Sequence, residues 1–357
     1  MKGILCVTAL CLCIAVHAFV ETSVTFPTFD GIYLNGNTTF PVDCTAASPC
    51  PAVVFIAGSG PNDMNETGGV YEAARDISAS IAEAGIAMLR YDKRSCAADN
   101  SHGRCQDLPI NRWNVEFDDF VADAEFAVAY LAEDERVSSV YVTGHSQGCD
   151  IAPLVADHLS TGTSQAGQYT VGGVALLMGG GISILDTMLR QYTESAQEYT
   201  TQLYQYLASV DIYTVDQEVI DAYADVIEQS WAMVDGWSSV MSPLIAHEYP
   251  PNYLINGCTA TFWYQWMDAT DPDKRTVTWT SLDSAGVPVL AVNSRTDYNL
   301  QPSDYEPLHS LLSDVMGDLY SGHVTVTDLC HMMAPANGAD FIVNVEVIDA
   351  LVDFITL

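Results

Sequence analysis
The chain has 357 residues, of which 49% are hydrophobic and 16% charged, with 24 Gly, 15 Pro and a formal net charge of −34 at pH 7. That apolar content excludes a disordered polyampholyte, and the Gly and Pro counts exclude collagen-like or linker-like chains. A polyanion of this size repels phosphate backbones and anionic membrane surfaces, so nucleic acid is excluded as a partner.

In chain order, Lys2 precedes an apolar run at 4–16 that ends in Val16-His17-Ala18. The run is about 13 residues, too short to span a bilayer and right for a signal peptide cleaved after Ala18. The expectation is a secreted or endomembrane-lumenal protein whose mature chain inserts in no membrane. Cys6, Cys11 and Cys13 leave with that segment, and seven cysteines remain. Cys44/Cys50 and Cys96/Cys105 each close a short polar loop and read as disulfides. A Cys258–Cys330 bridge is a third candidate, and Cys149 is expected to stay free. Asn37 and Asn65 stand in Asn-x-Thr sequons. No Cys/His cluster has metal-ligand spacing, so no metal and no cofactor is expected.

Strands are predicted at 24–29 and 32–34, paired around Asp30-Gly31. Further strands fall at 52–57, 86–91, 139–143, 171–178, 287–292 and 324–326. Helices are predicted at 71–84, 117–131, 146–158 and 341–354. Short continuous apolar runs alternating with amphipathic stretches argue for an α/β fold, a mostly parallel central sheet with helices on both faces. The alternation breaks between residues 182 and 286, where helical periodicity appears at 192–210 and 217–234. Five of the six Trp and nine of the 18 Tyr lie there. This stretch reads as an inserted, mainly helical cap, most of whose aromatics hold the helical layer together while some face a cleft. The expected organisation is a signal peptide at 1–18, core at 19–181, cap at 182–286 and core again at 287–357.

The predicted strand at 139–143 runs into Gly144-His145-Ser146-Gln147-Gly148 and then a helix. This is a G-x-S-x-G elbow in strand–turn–helix context. Its glycines remove the Cβ atoms that would clash across so tight a turn, which exposes Ser146 as a nucleophile. A serine nucleophile needs a base, and the base an orienting acid, here in the chain order Ser, acid, His. Asp297 follows the predicted strand 287–292, and His331 follows the strand 324–326. Both therefore fall at carboxyl ends of parallel strands. Among rivals, Asp304 is further from a strand end and Asp328 is too near His331. His323 falls at a strand start, and His309 in a helical stretch. An oxyanion hole needs two backbone N–H donors, assigned to Gln147 and to Ser59 within Gly58-Ser59-Gly60.

With these residues the sequence resembles the esterase, dienelactone-hydrolase and serine-aminopeptidase-like branch of the α/β-hydrolases. The resemblance rests on Gly58-Ser59-Gly60-Pro61-Asn62-Asp63, on Arg90-Tyr91-Asp92-Lys93-Arg94 and on the complete Gly-His-Ser-Gln-Gly elbow. It covers about residues 22–181 and 287–357. It departs at Met64-Asn65, at Ser95 with the Cys96/Cys105 loop, and at Cys149, where a further Gly is usual. The resemblance implies the fold and a serine-hydrolase mechanism with Ser146, Asp297 and His331 in their roles. The leading expectation is cleavage of carboxylic esters through an acyl-enzyme. The alternatives are a serine exopeptidase acting on short peptides with the same residues, and a catalytically silent binding protein on this fold.

Overall fold
The structure is a computed structural model and describes residues 19–98, 103–210, 216–338 and 340–357. The expected signal peptide at 1–18 lies outside the described residues. Eight strands form one sheet: β1 (Phe19–Pro27), β2 (Tyr33–Pro41), β3 (Cys50–Ile56), β4 (Ala87–Tyr91), β5 (Val137–His145), β6 (Val171–Leu177), β7 (Val289–Asn293) and β8 (Tyr320–Val324). Their spatial order is β1-β2-β4-β3-β5-β6-β7-β8. The β1–β2 hairpin is antiparallel, and β2 is antiparallel to β4. Every pairing from β4 across to β8 is parallel.

Period-two alternation divides the core. On β3, Ala52, Val54 and Ile56 enter one apolar cluster, while Val53 and Phe55 enter the other. The second face is closed by α1 (Ala73–Glu83), through Ile77 and Ile81, and by α10 (Val345–Thr356), through Val347, Ile348 and Leu351. The first face is closed by α3 (Phe117–Ala132), α4 (Gly148–Thr161) and α9 (Pro302–Met316). A short helix, α2 (Arg94–Ala98), follows β4. Helices on both faces are what force the central strands to be continuously apolar.

Among the described residues, four helices separate β6 from β7: α5 (Ile184–Ser209), α6 (Gln217–Ile245), α7 (Ala260–Thr270) and α8 (Pro272–Ser284). Ser183 caps α5 by accepting from the Asp186 N–H at 3.2 Å. The long α5–α6 hairpin is the helical insert. By contrast, α7 and α8 pack on α3, α4 and α9. Trp237, Trp263, Trp266 and Trp279 join the same apolar cluster as the sheet, with Phe117 stacked on Trp266 at 5.9 Å. Four of the five Trp of this stretch are therefore core, whereas Trp231, Tyr199, Tyr204 and Tyr253 are exposed.

The helices of the insert start earlier or run longer than their sequence pattern predicts, because a hairpin helix continues wherever its neighbour covers it. The last strand lies at Tyr320–Val324, before the expected 324–326. Its register on β7 pairs Val289 with Tyr320, and Val326 is exposed beyond the ladder. The closing helix begins at Val345, where Asn344 caps it by accepting from the Glu346 N–H at 2.9 Å. The 341–344 stretch is therefore not helical.

Disulfides join Cys44 to Cys50 and Cys96 to Cys105. Cys149 is free and buried, donating weakly to the carbonyls of Gly144 and Leu177. The expected Cys258–Cys330 candidate is not formed, and both thiols are free. Cys258 lies near Tyr192 and Lys93, whereas Cys330 lies beside Tyr71. Among the described residues, no helix is long and apolar enough to cross a membrane.

Candidate functional site
Strand β5 delivers the chain into the turn at residues 144–148, and α4 carries it away. A Cβ on Gly144 would meet the Gly148 carbonyl oxygen at 2.0 Å, and one on Gly148 would meet that of Ile56 at 2.1 Å. No side chain fits at either position. Between them Ser146 adopts φ +53°, in the left-handed region that costs a non-glycine residue of order 1–3 kcal/mol. The surroundings hold that strain: the Ser146 N–H donates to Leu177 O at 3.0 Å, and its carbonyl accepts from Cys149 N–H at 2.9 Å. Ser146 sits half-buried over the carboxyl edge of the sheet.

The loop after β7 places Asp297, and the loop after β8 places His331; both are buried. His331 Nδ1 lies 2.8 Å from Asp297 Oδ2. The other carboxylate oxygen accepts from the N–H groups of Asn299 and Leu300 at 2.8 and 3.3 Å. A carboxylate only accepts, so Nδ1 carries the proton and Nε2 keeps its lone pair. His331, Ser146, Ser59 and Gln147 line one cleft of about 60 Å³. Asp297 stands behind the imidazole.

The rivals are engaged elsewhere. Asp304 pairs with Arg190 at 2.5 Å and accepts from the Gln301 N–H at the start of α9. His309 lies between Asn293 and Tyr320. Asp328 is exposed. His323 falls near the end of β8 rather than at a strand start, because that strand lies earlier than expected, and it pairs with Glu346 at 2.9 Å.

Several residues at the site were given no role by the sequence, although one of them, Lys93, stands in the Arg90–Arg94 motif. Asp150, in the first turn of α4, lines the cleft largely covered and pairs with Arg275 of α8 at 2.5 Å, while Trp266 Nε1 donates to it at 2.8 Å. Burial raises the Asp150 carboxyl above its usual range, against the pull of Arg275. Lys93 is buried after β4. Its ammonium donates to the Gly58 carbonyl and to Gln147 Oε1, the latter at 2.6 Å, and it lies 4.4 Å over the Phe120 ring. Burial brings Lys93 down to about 7, with Glu66 and Cys258 acting in the opposite sense. Met188, Gln191 and Leu300 cover the cleft together with Trp266.

No family model matches the chain. Over 124 residues it is 38% identical to the esterase EstD of Thermotoga maritima, a segment that spans 35% of this chain and 27% of that esterase. An esterase of Pyrococcus furiosus superposes with a TM-score of 0.52 at 13% identity, covering 95% of this chain and 91% of that one. Est1E from Butyrivibrio proteoclasticus superposes with a TM-score of 0.52 at 14% identity, covering 94% and 97%. Another structure of Est1E holds ferulic acid. At such identities these likenesses speak for the fold alone.

Proposed function
The chain has the α/β-hydrolase fold, and from that premise we propose that it is a secreted serine hydrolase that cleaves carboxylic esters. The observation that carries the proposal is the 2.8 Å contact of His331 Nδ1 with Asp297, with His331 sharing the cleft of a strained Ser146 elbow. Ser146 Oγ attacks the acyl carbonyl as His331 Nε2 takes its proton. The backbone N–H groups of Ser59 and Gln147 receive the oxyanion. The imidazolium, steadied by Asp297, then passes the proton to the leaving alcohol. Water, deprotonated by the same imidazole, releases the acyl group and frees the serine. The partial identity to EstD supports an ester substrate.

The cleft favours this reading over an exopeptidase. A substrate amine calls for a free carboxylate, and Asp150, which lines the cleft, is taken by Arg275 and Trp266. The two disulfides support an oxidising compartment and hence secretion. Both sequon amides are engaged, Asn37 with Glu21 and Asn65 with Glu72 and Arg90, so a glycan at either site would displace these contacts.

The test is hydrolysis of p-nitrophenyl esters, from acetate to long acyl chains, by the protein and by its Ser146→Ala variant. The variant should retain its fold and lose at least about 10³-fold in kcat, since removing a triad nucleophile costs up to roughly 10⁶-fold. A fully active Ser146→Ala protein overturns the assignment. Turnover of aminoacyl amides and not of esters overturns the substrate class.

A further inference from the structure
A second histidine–carboxylate pair lies behind the site. His145, the residue before Ser146, is buried. Its Nδ1 is 2.8 Å from Glu66 Oε1, and its Nε2 is 2.8 Å from the main-chain oxygen of His331. Its ring centroid is 4.9 Å from that of His331. The same Glu66 Oε1 accepts from the Gly58 N–H at 2.6 Å, and Gly58 precedes Ser59, the proposed oxyanion donor. Glu66 itself is buried with φ +52°, a conformation unfavourable for glutamate that the surroundings have to impose.

The two contacts of His145 count its protons. A carbonyl oxygen only accepts, so the 2.8 Å contact at Nε2 needs a proton there. The 2.8 Å contact at Nδ1 needs a second proton between nitrogen and carboxylate. A singly protonated imidazole beside an ionised Glu66 would leave two lone pairs facing each other at one end.

We propose that Glu66 and His145, sharing two protons as a neutral ion pair, are positioning residues that tie the His331 loop to the oxyanion turn at Gly58. This rests on the ester-hydrolase reading for what is positioned. One strut runs from Nε2–H of His145 to the His331 carbonyl and fixes the main chain that carries the base. The other runs from Glu66 to the Gly58 N–H and fixes the turn that receives the oxyanion. The elbow serine sits between them, bonded covalently to His145. The base, nucleophile and oxyanion donor are thereby referred to one buried pair. Burial pulls the His145 imidazolium down, but the facing Glu66 carboxylate more than offsets it and holds the imidazolium above the usual histidine range.

Glu66→Gln removes the carboxylate at nearly constant shape. A glutamine oxygen at that place still accepts from Gly58 N–H and from Nδ1–H, so a neutral His145 gives up its Nε2 proton and with it the strut to His331. The experiment combines nitrogen-detected NMR of the His145 ring with steady-state kinetics on p-nitrophenyl acetate. Active sites are counted by titration with a fluorophosphonate. Wild type should show protons on both ring nitrogens at neutral pH, and Glu66→Gln on one. Per titrated site, kcat should fall about 10–100-fold with KM within about threefold, the loss typical of an outer-shell orienting partner. A merely structural pair would lower the melting temperature and the titratable fraction but leave kcat per site unchanged. That result, or a single ring proton on wild-type His145, overturns the proposal. Should Glu66→Gln fail to fold, the wild-type proton count still tests the proposal, since a single ring proton overturns it. Absence of ester turnover in the wild type would sink the hydrolase reading while leaving the proton count as it is.

Discussion
At the scale of single residues, most buried polar groups around Ser146 have partners, although among the described residues Glu66 Oε2 and Thr143 Oγ1 are buried without one. Lys93 is the extreme case, an amine within an apolar wall whose N–H groups reach Gly58 O and Gln147 Oε1. Desolvation lowers it to about 7, against 10.5 for the free side chain. Between these values the unfolded chain holds a proton that the folded one does not, so stability gains from rising pH across that window. Below about 7 both states are protonated and the full penalty applies. A neutral amine still has two N–H donors for its two acceptors, so the clamp persists. Denaturant unfolding of wild type and Lys93→Met should therefore diverge from pH 7 to 10 in favour of wild type. The slope should approach about 1.4 kcal/mol per pH unit. A pH-independent difference would show that Lys93 keeps its proton when buried.

At the scale of elements, the insert sets the room above the serine. One face of α5 brings Ile184, Thr187, Met188 and Gln191 over the cleft, opposite Trp266 of α7. The cleft volume of about 60 Å³ suits a short acyl group. Acetate and propionate esters should outpace hexanoate in kcat/KM. Met188→Ala removes side-chain volume from the roof and should raise the hexanoate-to-acetate ratio about tenfold, the usual worth of one or two methylene contacts. A ratio unchanged by Met188→Ala would mean that the acyl chain leaves by another route. The helix α5 starts before the 192–210 stretch expected from the sequence, because Ile184, Leu185, Met188, Leu189 and Tyr192 already recur at helical spacing and pack on the core; Thr270 Oγ1 accepts the Ile184 N–H at 3.1 Å.

At the scale of the whole molecule, the charge of −34 is unevenly spread. No lysine or arginine occurs between Arg190 and Lys274, the stretch that contributes most of the insert. Such a field concentrates cations and repels anions near the cleft, and salt screens it over about 10 Å at 0.1 M. An ester with a cationic alcohol should therefore show a higher kcat/KM than its anionic counterpart at low salt. That preference should shrink roughly tenfold by 1 M salt. A salt-independent ratio would place the acidity away from the approach to Ser146.

Much of this protein was legible from local signals. Apolar runs mark β3, β6 and β7, since strands covered on both faces have no polar side to show. The glycine elbow and the two short cysteine loops lie within ten residues of sequence. Asp297 and His331 stood out as acid and base candidates because each follows a strand, and folding brings them within 2.8 Å. The tertiary structure alone decided which buried polar groups meet. His145 finds Glu66 79 residues away and the His331 carbonyl 186 away, and Arg275 reaches Asp150 across 125. It also moved the last strand to Tyr320–Val324, where register on β7 outweighs the local apolar run. A side chain's chemistry is fixed by its residue type, but burial turns an unpaired charge or donor into a cost of several kcal/mol. The partner that removes this cost is chosen by the packing of distant segments, which no window of sequence contains.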